Sequence, residues 1–342
     1  MKLACLGLGC WGLVLTELLS GSFDEIWGWS REEDLSEELR LHKKASKPYA
    51  VQLDDKVQIT SNLRLAIKDA DIILLVVSTS ATRIVCKQLK EAGIKDEQIL
   101  VNASKGIELP TLYRMSEVIL EELPNQSLAI LSGPTLAYEV LKGYPTAACV
   151  ASDDVEAAKK VQKHCSVSGR FRLYTNADVA GVELGGSLKN VIAIAAGFVD
   201  ELGMGDNAKG ALLTRGMAEI VRVSVKLGAN PSTLWGLSGM GDLIATCSSP
   251  LSRNHTVGRL LAQGKKIDQI LTELGSVAEG VKTSKAICEL AKRENIETPL
   301  SEAIYQAVYS EHNSKEIFLK LMDRQLKEEE DFLNAPTCTP KV

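Results

Sequence analysis

The sequence predicts an α/β fold in which an N-terminal Rossmann domain over residues 1–180 is followed by a second, all-α domain over residues 181–330. Three observations predict it. The chain opens on a short apolar strand, runs straight into Gly7-Leu8-Gly9-Cys10-Trp11-Gly12 and continues as a helical pattern from Leu13. Short apolar runs then recur at helix-separated intervals, the pattern of a parallel sheet covered on both faces. Beyond about residue 180 the apolar stretches take helical spacing, separated by Gly, Pro or Asn.

Taken in order, the strand candidates are residues 3–6, 26–29, 72–77, 99–103, 128–131 and 147–151. The order strand, G-x-G-x-x-G, helix at the start marks a dinucleotide site. Gly7 permits the tight turn, Gly9 lets a pyrophosphate approach the backbone, and Gly12 lets helix and strand pack closely. The amides of the helix start, at Cys10 and Trp11, then face the phosphates. The second strand ends in Trp29-Ser30-Arg31, where an NAD-selective domain usually carries a carboxylate for the ribose hydroxyls. Arg31 can lie over an adenine or take a 2′-phosphate bidentately, although Glu32 and Glu33 follow it and a plain surface arginine is the alternative. The expected cofactor is NAD or NADP, with NADP at least tolerated.

The helix candidates are residues 182–202, 211–227, 234–246, 256–263, 267–274, 281–292 and 301–309. Within residues 184–199 of the first, Lys189 is the only formal charge. A helix apolar nearly all round is normally buried, and removing an unpaired ammonium from water is costly. Either the Lys189 stem lies along apolar surface with its head in water, or the position serves chemistry that needs a desolvated or closely paired amine. Three polar segments stand out beside it. Asn102-Ala103-Ser104-Lys105-Gly106 follows a strand, at the sheet edge where ligands of this fold bind, although Lys105 also reads as an ordinary loop lysine. Asp242 reads as a helix N-cap, yet Asp242 and Thr246 are four apart and share one helical face. Ser252-Arg253-Asn254 combines a planar cationic fork with neutral donors, which suits phosphate, while each residue alone is common in loops.

Composition narrows the function classes. A length of 342 residues suits two domains, and a net charge of −5 gives no electrostatic reason to expect nucleic acid or a membrane surface. No window has eighteen uninterrupted apolar residues, so no integral membrane segment is expected. The eight cysteines are scattered, with no C-x-x-C and no histidine at zinc spacing, which reads as reduced thiols without a disulfide framework or metal site. The apolar N-terminus is broken by glycines, unlike a secretory signal, and a cytoplasmic location is expected. Residues 331–342 read as a flexible tail.

Gly7 to Gly12 with Trp11, Ser104-Lys105-Gly106-Ile107-Glu108, Ser132-Gly133-Pro134-Thr135, Glu183-Leu184-Gly185-Gly186-Ser187-Leu188-Lys189-Asn190-Val191, Thr214-Arg215-Gly216, Gly241-Asp242-Leu243 and Ser252-Arg253-Asn254 together resemble the bacterial-type NAD(P)-dependent glycerol-3-phosphate dehydrogenases. The resemblance runs from the first strand to about residue 326. It implies Lys189 as the catalytic acid/base, with Lys105, Gly133, Thr135, Asp242, Ser252, Arg253 and Asn254 around a glycerol phosphate. On the cofactor side it implies Trp11, Arg31, Lys105, Ala137, Arg253, Val277 and Glu279, and it puts Asn190 and Thr246 near the reacting groups. Leu13-Val14, Ser187 and Gly210 depart from the family pattern without touching a charged member of this set.

The implied reaction is hydride transfer between a nicotinamide and C2 of dihydroxyacetone phosphate, supplying glycerol 3-phosphate for glycerophospholipid synthesis. Lys189 would give the proton, Asp242 would favour its charged form against burial, and Lys105 would reach the carbonyl from the Rossmann side. The implied partner is this small substrate, and a homodimer is compatible with the resemblance. A 3-hydroxyacid or 6-phosphogluconate type dehydrogenase and a noncatalytic NAD(P)-binding sensor are the alternatives; the acid/base set argues against the sensor.

Overall fold

The computed structural model describes residues 1–46, 49–275, 277–310, 314–321, 323–326, 328 and 329; the tail expected at 331–342 lies outside the described residues. The chain forms two compact units, one of residues 1–104 and 115–179, the other of residues 105–114 together with the chain from residue 180 onward. Lys105–Arg114 therefore belongs to the second unit, a detour that a single boundary at residue 180 does not contain.

The strands of the first unit are β1 (Lys2–Leu6), β2 (Glu25–Trp29), β3 (Lys44–Ala45), β4 (Val51–Gln52), β5 (Gln58–Thr60), β6 (Ile72–Leu75), β7 (Ile99–Asn102), β8 (Leu128–Ser132), β9 (Thr146–Ala151) and β10 (Phe171–Asn176). Its helices are α1 (Cys10–Leu19), α2 (Glu33–His42), α3 (Leu63–Ile67), α4 (Thr79–Ala92), α5 (Met115–Glu122), α6 (Ala137–Leu141) and α7 (Val155–Cys165). Eight strands make one sheet in the order β10-β9-β8-β7-β6-β1-β2-β5, and β3 and β4 pair separately. From β5 through β8 all neighbours are parallel. Successive residues of β1 feed opposite faces: Leu3 and Cys5 join one apolar cluster, Ala4 and Leu6 the other. The strand order reverses between β1 and β6, and ligands of such sheets bind outside the carboxyl ends at that reversal.

The sheet departs from the expected all-parallel form at β8 and β9, which pair antiparallel, Ser132 opposite Cys149. The five-residue α6 between them is about 7.5 Å long, too short to carry the chain back along a strand of about 17 Å. The chain therefore re-enters from the end at which it left. β10, which the apolar pattern did not reveal, follows with a half-exposed alternation and pairs parallel to β9.

The second unit contains α8 (Val179–Glu201), α9 (Gly205–Lys226), α10 (Pro231–Leu234), α11 (Asp242–Ser248), α12 (Arg253–Ala262), α13 (Ile267–Leu274), α14 (Glu279–Glu294), α15 (Pro299–Tyr309) and α16 (Ser314–Leu319). Residues 181–199 of α8 are all buried, so a helix long and apolar enough to cross a membrane is here the core of the unit. The helix expected over residues 234–246 is interrupted. Leu237–Gly241 forms one wide π turn, in which the Gly241 amide bonds the Gly236 carbonyl at 3.1 Å, before α11 begins. Gly236, Gly239 and Gly241 within six residues weaken a continuous α-helix, and such wide turns often mark functional sites.

Candidate active site

In the first unit the sequence between β1 and α1 has one feasible backbone. Gly7 sits at φ +102° with the Val76 carbonyl oxygen 2.6 Å from where a Cβ would be, and a Cβ on Gly12 would lie 1.8 Å from the Gly7 carbonyl oxygen. Larger residues fit at neither place. A Cβ on Gly9 would meet nothing within 4 Å, so open space lies above the N-terminus of α1, which has no side-chain cap and no acidic residue in its first turn. An uncapped helix start facing open space is a site for an anion, and the pyrophosphate of a dinucleotide fits it. Half-buried Trp11 packs edge-on against Phe171, ring centres 6.5 Å apart.

The register aligns Leu6 with Trp29 and Leu75, which brings Gly7 level with the end of β2. There Ser30 is buried and its Oγ accepts from the Glu32 amide at 3.2 Å, while Arg31 is exposed. Glu32 is the N-cap residue of α2, and Glu33 and Asp34 lie in its first turn, where acidic residues favour the helix dipole. These carboxylates are explained by the helix and need no ribose. Gly133 and Thr135 follow the carboxyl end of β8, Thr135 Oγ1 donating to the Gly133 carbonyl at 3.1 Å, and Ala137 opens α6.

In the second unit three of the charged residues that the sequence singled out, Lys105, Lys189 and Asp242, meet. Lys189 Nζ lies 2.8 Å from Asp242 Oδ1 and 2.5 Å from Thr246 Oγ1, and Lys105 Nζ lies 2.7 Å from Asp242 Oδ2. Asp242 and Thr246, one turn apart on α11, are also bonded to each other at 3.1 Å. The N-cap alternative for Asp242 fails: it is the first residue of α11, no side chain caps that helix, and the carboxylate is divided between two ammonium groups. The snorkelling alternative for Lys189 fails as well, because the whole residue is 6 % exposed.

The electrostatics follow from that geometry. Lys189 is lowered to about 8: burial pushes it down most, Asp242 pulls it up and Lys105 pushes it down again. Burial would raise Asp242, but Lys105 and Lys189 hold it below the ordinary carboxylate value. Burial pushes the neighbouring Cys247 thiol up to about 12, so it stays neutral beside Lys189. The Asp242 carboxylate thus faces two ammonium groups whenever Lys189 is protonated.

Around this cluster the neutral polar residues bind each other. Asn254 Nδ2 donates to Asn190 Oδ1 at 2.9 Å, and its Oδ1 accepts from the Gly280 amide at 3.0 Å, which joins α8, α12 and α14. Ser252 is the N-cap of α12, its Oγ accepting from the His255 amide at 3.2 Å. Arg253 is exposed at the start of the same helix and makes no ion pair among the described residues. Exposed Val277 and half-buried Glu279 stand before and at the start of α14.

Sequence reasoning gave no role to Arg114, and Glu183 appeared only as part of a motif; Arg114 Nη1 lies 3.0 Å from the buried Glu183 Oε2. Glu183 stands one residue before the apolar stretch in which Lys189 drew attention, so the same test applied one position earlier would have found it.

A Rossmann unit whose glycine turn leads into an uncapped helix, and a helical unit that holds a buried lysine on a carboxylate, are parts that a nicotinamide-nucleotide dehydrogenase needs. The comparisons with known proteins then fix the family. Residues 2–158 match the profile of the NAD-dependent glycerol-3-phosphate dehydrogenase N-terminus and residues 178–319 that of its C-terminus. A glycerol-3-phosphate dehydrogenase (NAD(P)+) of Pediococcus pentosaceus is 45% identical over 96% of this chain and 98% of its own, and one of a Thermoanaerobacter species is 44% identical over 96% and 99%. The crystal structure of glycerol-3-phosphate dehydrogenase from Coxiella burnetii superposes with a TM-score of 0.88 at 31% identity, covering 94% of this chain and 99% of that one. The chain belongs to the NAD-dependent glycerol-3-phosphate dehydrogenase family.

Proposed function

We propose that the chain interconverts dihydroxyacetone phosphate and sn-glycerol 3-phosphate with NAD(P)H or NAD(P)+, and that Lys189 moves the proton. The observation that carries this reading is the buried Lys105–Asp242–Lys189–Thr246 cluster. The nicotinamide, when bound, supplies or accepts the hydride. As negative charge grows on the carbonyl oxygen, a proton donor must be within hydrogen-bond reach, and an amine near pKa 8 both gives and takes a proton close to neutrality. Asp242 holds both ammonium groups in place, and Thr246 fixes the direction of the Lys189 amine. Lys105 supplies a second positive charge toward the carbonyl and phosphate oxygens.

Arg253 anchors the phosphate with its planar fork, assisted by Ser252, Asn254, Gly133 and Thr135, so that binding at the unreactive end positions the carbonyl. Asn190 orients the hydroxyl groups. Gly7, Gly9, Cys10, Trp11 and Gly12 hold the pyrophosphate, Arg31 the adenosine end, and Ala137, Val277 and Glu279 complete the cofactor contacts. The same reading places the enzyme in the cytoplasm and is compatible with a homodimer. The test is NAD(P)H consumption with dihydroxyacetone phosphate, beside 3-oxoacids and a control without substrate. Turnover with dihydroxyacetone phosphate alone supports the reading; turnover only with 3-oxoacids, or none at all, contradicts it.

A further inference from the structure

Lys105 is carried by the segment Lys105–Arg114, which belongs to the helical unit although the chain on either side of it does not. A loop that holds a functional cation needs to be fixed, because a long amine positioned loosely loses much of its effect. This loop is fixed at its far end. Ile107 and Arg114 form a β-bridge, and the Glu108 amide donates to the Tyr113 carbonyl at 2.9 Å, so the segment closes on itself. Thr111 Oγ1 donates to Glu108 Oε2 at 2.6 Å across the same turn. Ile107, 4 % exposed, is buried in the core of the helical unit. Ser187 Oγ on α8 donates to the Gly106 carbonyl at 3.4 Å. Arg114 closes the loop on Glu183, whose side chain is 5% exposed. Glu183 and Lys189 are both on α8, six residues apart, so one helix carries the anchor and the amine.

We propose that the Arg114–Glu183 ion pair is a positioning device for the catalytic site, holding the loop against α8 so that the Lys105 ammonium stays on Asp242 beside Lys189. The proposal rests on the functional reading above for its kinetic consequences, but not for its electrostatic one. Neither residue is placed at the substrate; both act through Lys105. Because the Lys105 charge opposes protonation of Lys189, releasing the loop raises the value at which Lys189 titrates.

The experiment compares the parent, Glu183→Gln, Arg114→Met and Arg114→Lys, each alone and with Lys105→Met. Two quantities are read: the Lys189 titration, followed by NMR of 13C-labelled lysine side chains, and kcat and KM for dihydroxyacetone phosphate. Glu183→Gln and Arg114→Met should move the Lys189 titration upward from about 8 and lower kcat by up to about 10²-fold, the scale of a misplaced catalytic group. Arg114→Lys should restore part of kcat. In the Lys105→Met background Glu183→Gln should change kcat by less than about twofold, because the device no longer has anything to position. If Glu183→Gln loses the same factor with and without Lys105, or if the titration stays in place when the pair is broken, the pair is merely structural and the proposal falls. Should Glu183→Gln not fold, Arg114→Met decides by the same criteria. An inactive parent would overturn the functional reading and leave the titration to decide this one.

Discussion

Asp242 and Glu219 are both buried carboxylates of the helical unit, 1 % and 4 % exposed, and they are satisfied by opposite means. Glu219 on α9 accepts from the Leu300 and Ser301 amides at 2.9 Å each and from Ser301 Oγ at 2.5 Å. It thereby caps α15, whose own N-cap residue, Thr298, provides no side-chain bond. Every donor is neutral, and burial raises the Glu219 pKa despite them. Asp242 instead takes two ammonium groups and titrates below its ordinary value. A carboxylate that only holds a helix in place needs no net charge around it. The Asp242 cluster sets two ammonium groups against one carboxylate while Lys189 is protonated, and Lys189, with three donors of which two are directed to Asp242 and Thr246, retains capacity for one more bond. Two ammonium groups and unused donor capacity in a buried place suit a substrate that brings a phosphate and develops an oxyanion.

The comparison breaks most visibly if its two halves are cut in turn. Lys189→Ala should lower kcat by about 10²-fold to 10⁴-fold, the range of lost general acid/base catalysis, while the protein still folds and binds NADH. Turnover within a few-fold of the parent would remove Lys189 from the mechanism. Glu219→Ala should do the reverse. It leaves buried donors unpaired and should cost about 3 kcal/mol of stability in denaturant unfolding, with kcat of the folded enzyme unchanged. Its raised folded-state value also means that parent stability falls as pH rises above the ordinary glutamate value, since the unfolded state gives up its proton first. Glu219→Gln should flatten that dependence.

Two smaller effects sharpen the phosphate and cofactor ends. Arg253→Ala should raise KM for dihydroxyacetone phosphate by the equivalent of about 1.5–3 kcal/mol, a charge-assisted bond, and Arg253→Lys should not restore it fully because an ammonium lacks the planar fork. An unchanged KM in both variants would place the phosphate elsewhere. Arg31→Ala should lower kcat/KM with NADPH relative to NADH by about tenfold, or roughly 1.4 kcal/mol. No change in that ratio would mean that Arg31 does not meet the 2′-phosphate.

The features legible in the sequence are those whose physical demand is local. The turn from Gly7 to Gly12 is a backbone requirement written within six residues, and both its positive φ and its close approach are found where the fingerprint puts them. Lys189 was legible because a charge in an apolar run is conspicuous without knowledge of its partner. The partners were not legible from spacing: Asp242 is 53 residues from Lys189 and 137 from Lys105, and by local pattern it looked like a helix cap. The family resemblance, not periodicity, grouped them. Neither Arg114 nor Glu183, 69 residues apart, had a role carried by the resemblance, and although Glu183 is conspicuous as a charge beside an apolar run, Arg114 has no such local signal. The antiparallel β9 and the π turn at Leu237–Gly241 depend on the length of a connecting helix and on a cluster of glycines, which hydrophobic periodicity does not report.

The central claim is that one buried amine, titrating near 8, donates the proton in one direction and removes it in the other. The direct test is kcat/KM against pH for dihydroxyacetone phosphate reduction and for glycerol 3-phosphate oxidation in the same buffers. Reduction needs protonated Lys189 and should fall as pH rises through about 8, while oxidation needs the neutral amine and should rise through the same value. Limbs that run in the same sense in both directions, or a limb near 8 that survives in Lys189→Ala, would contradict the claim.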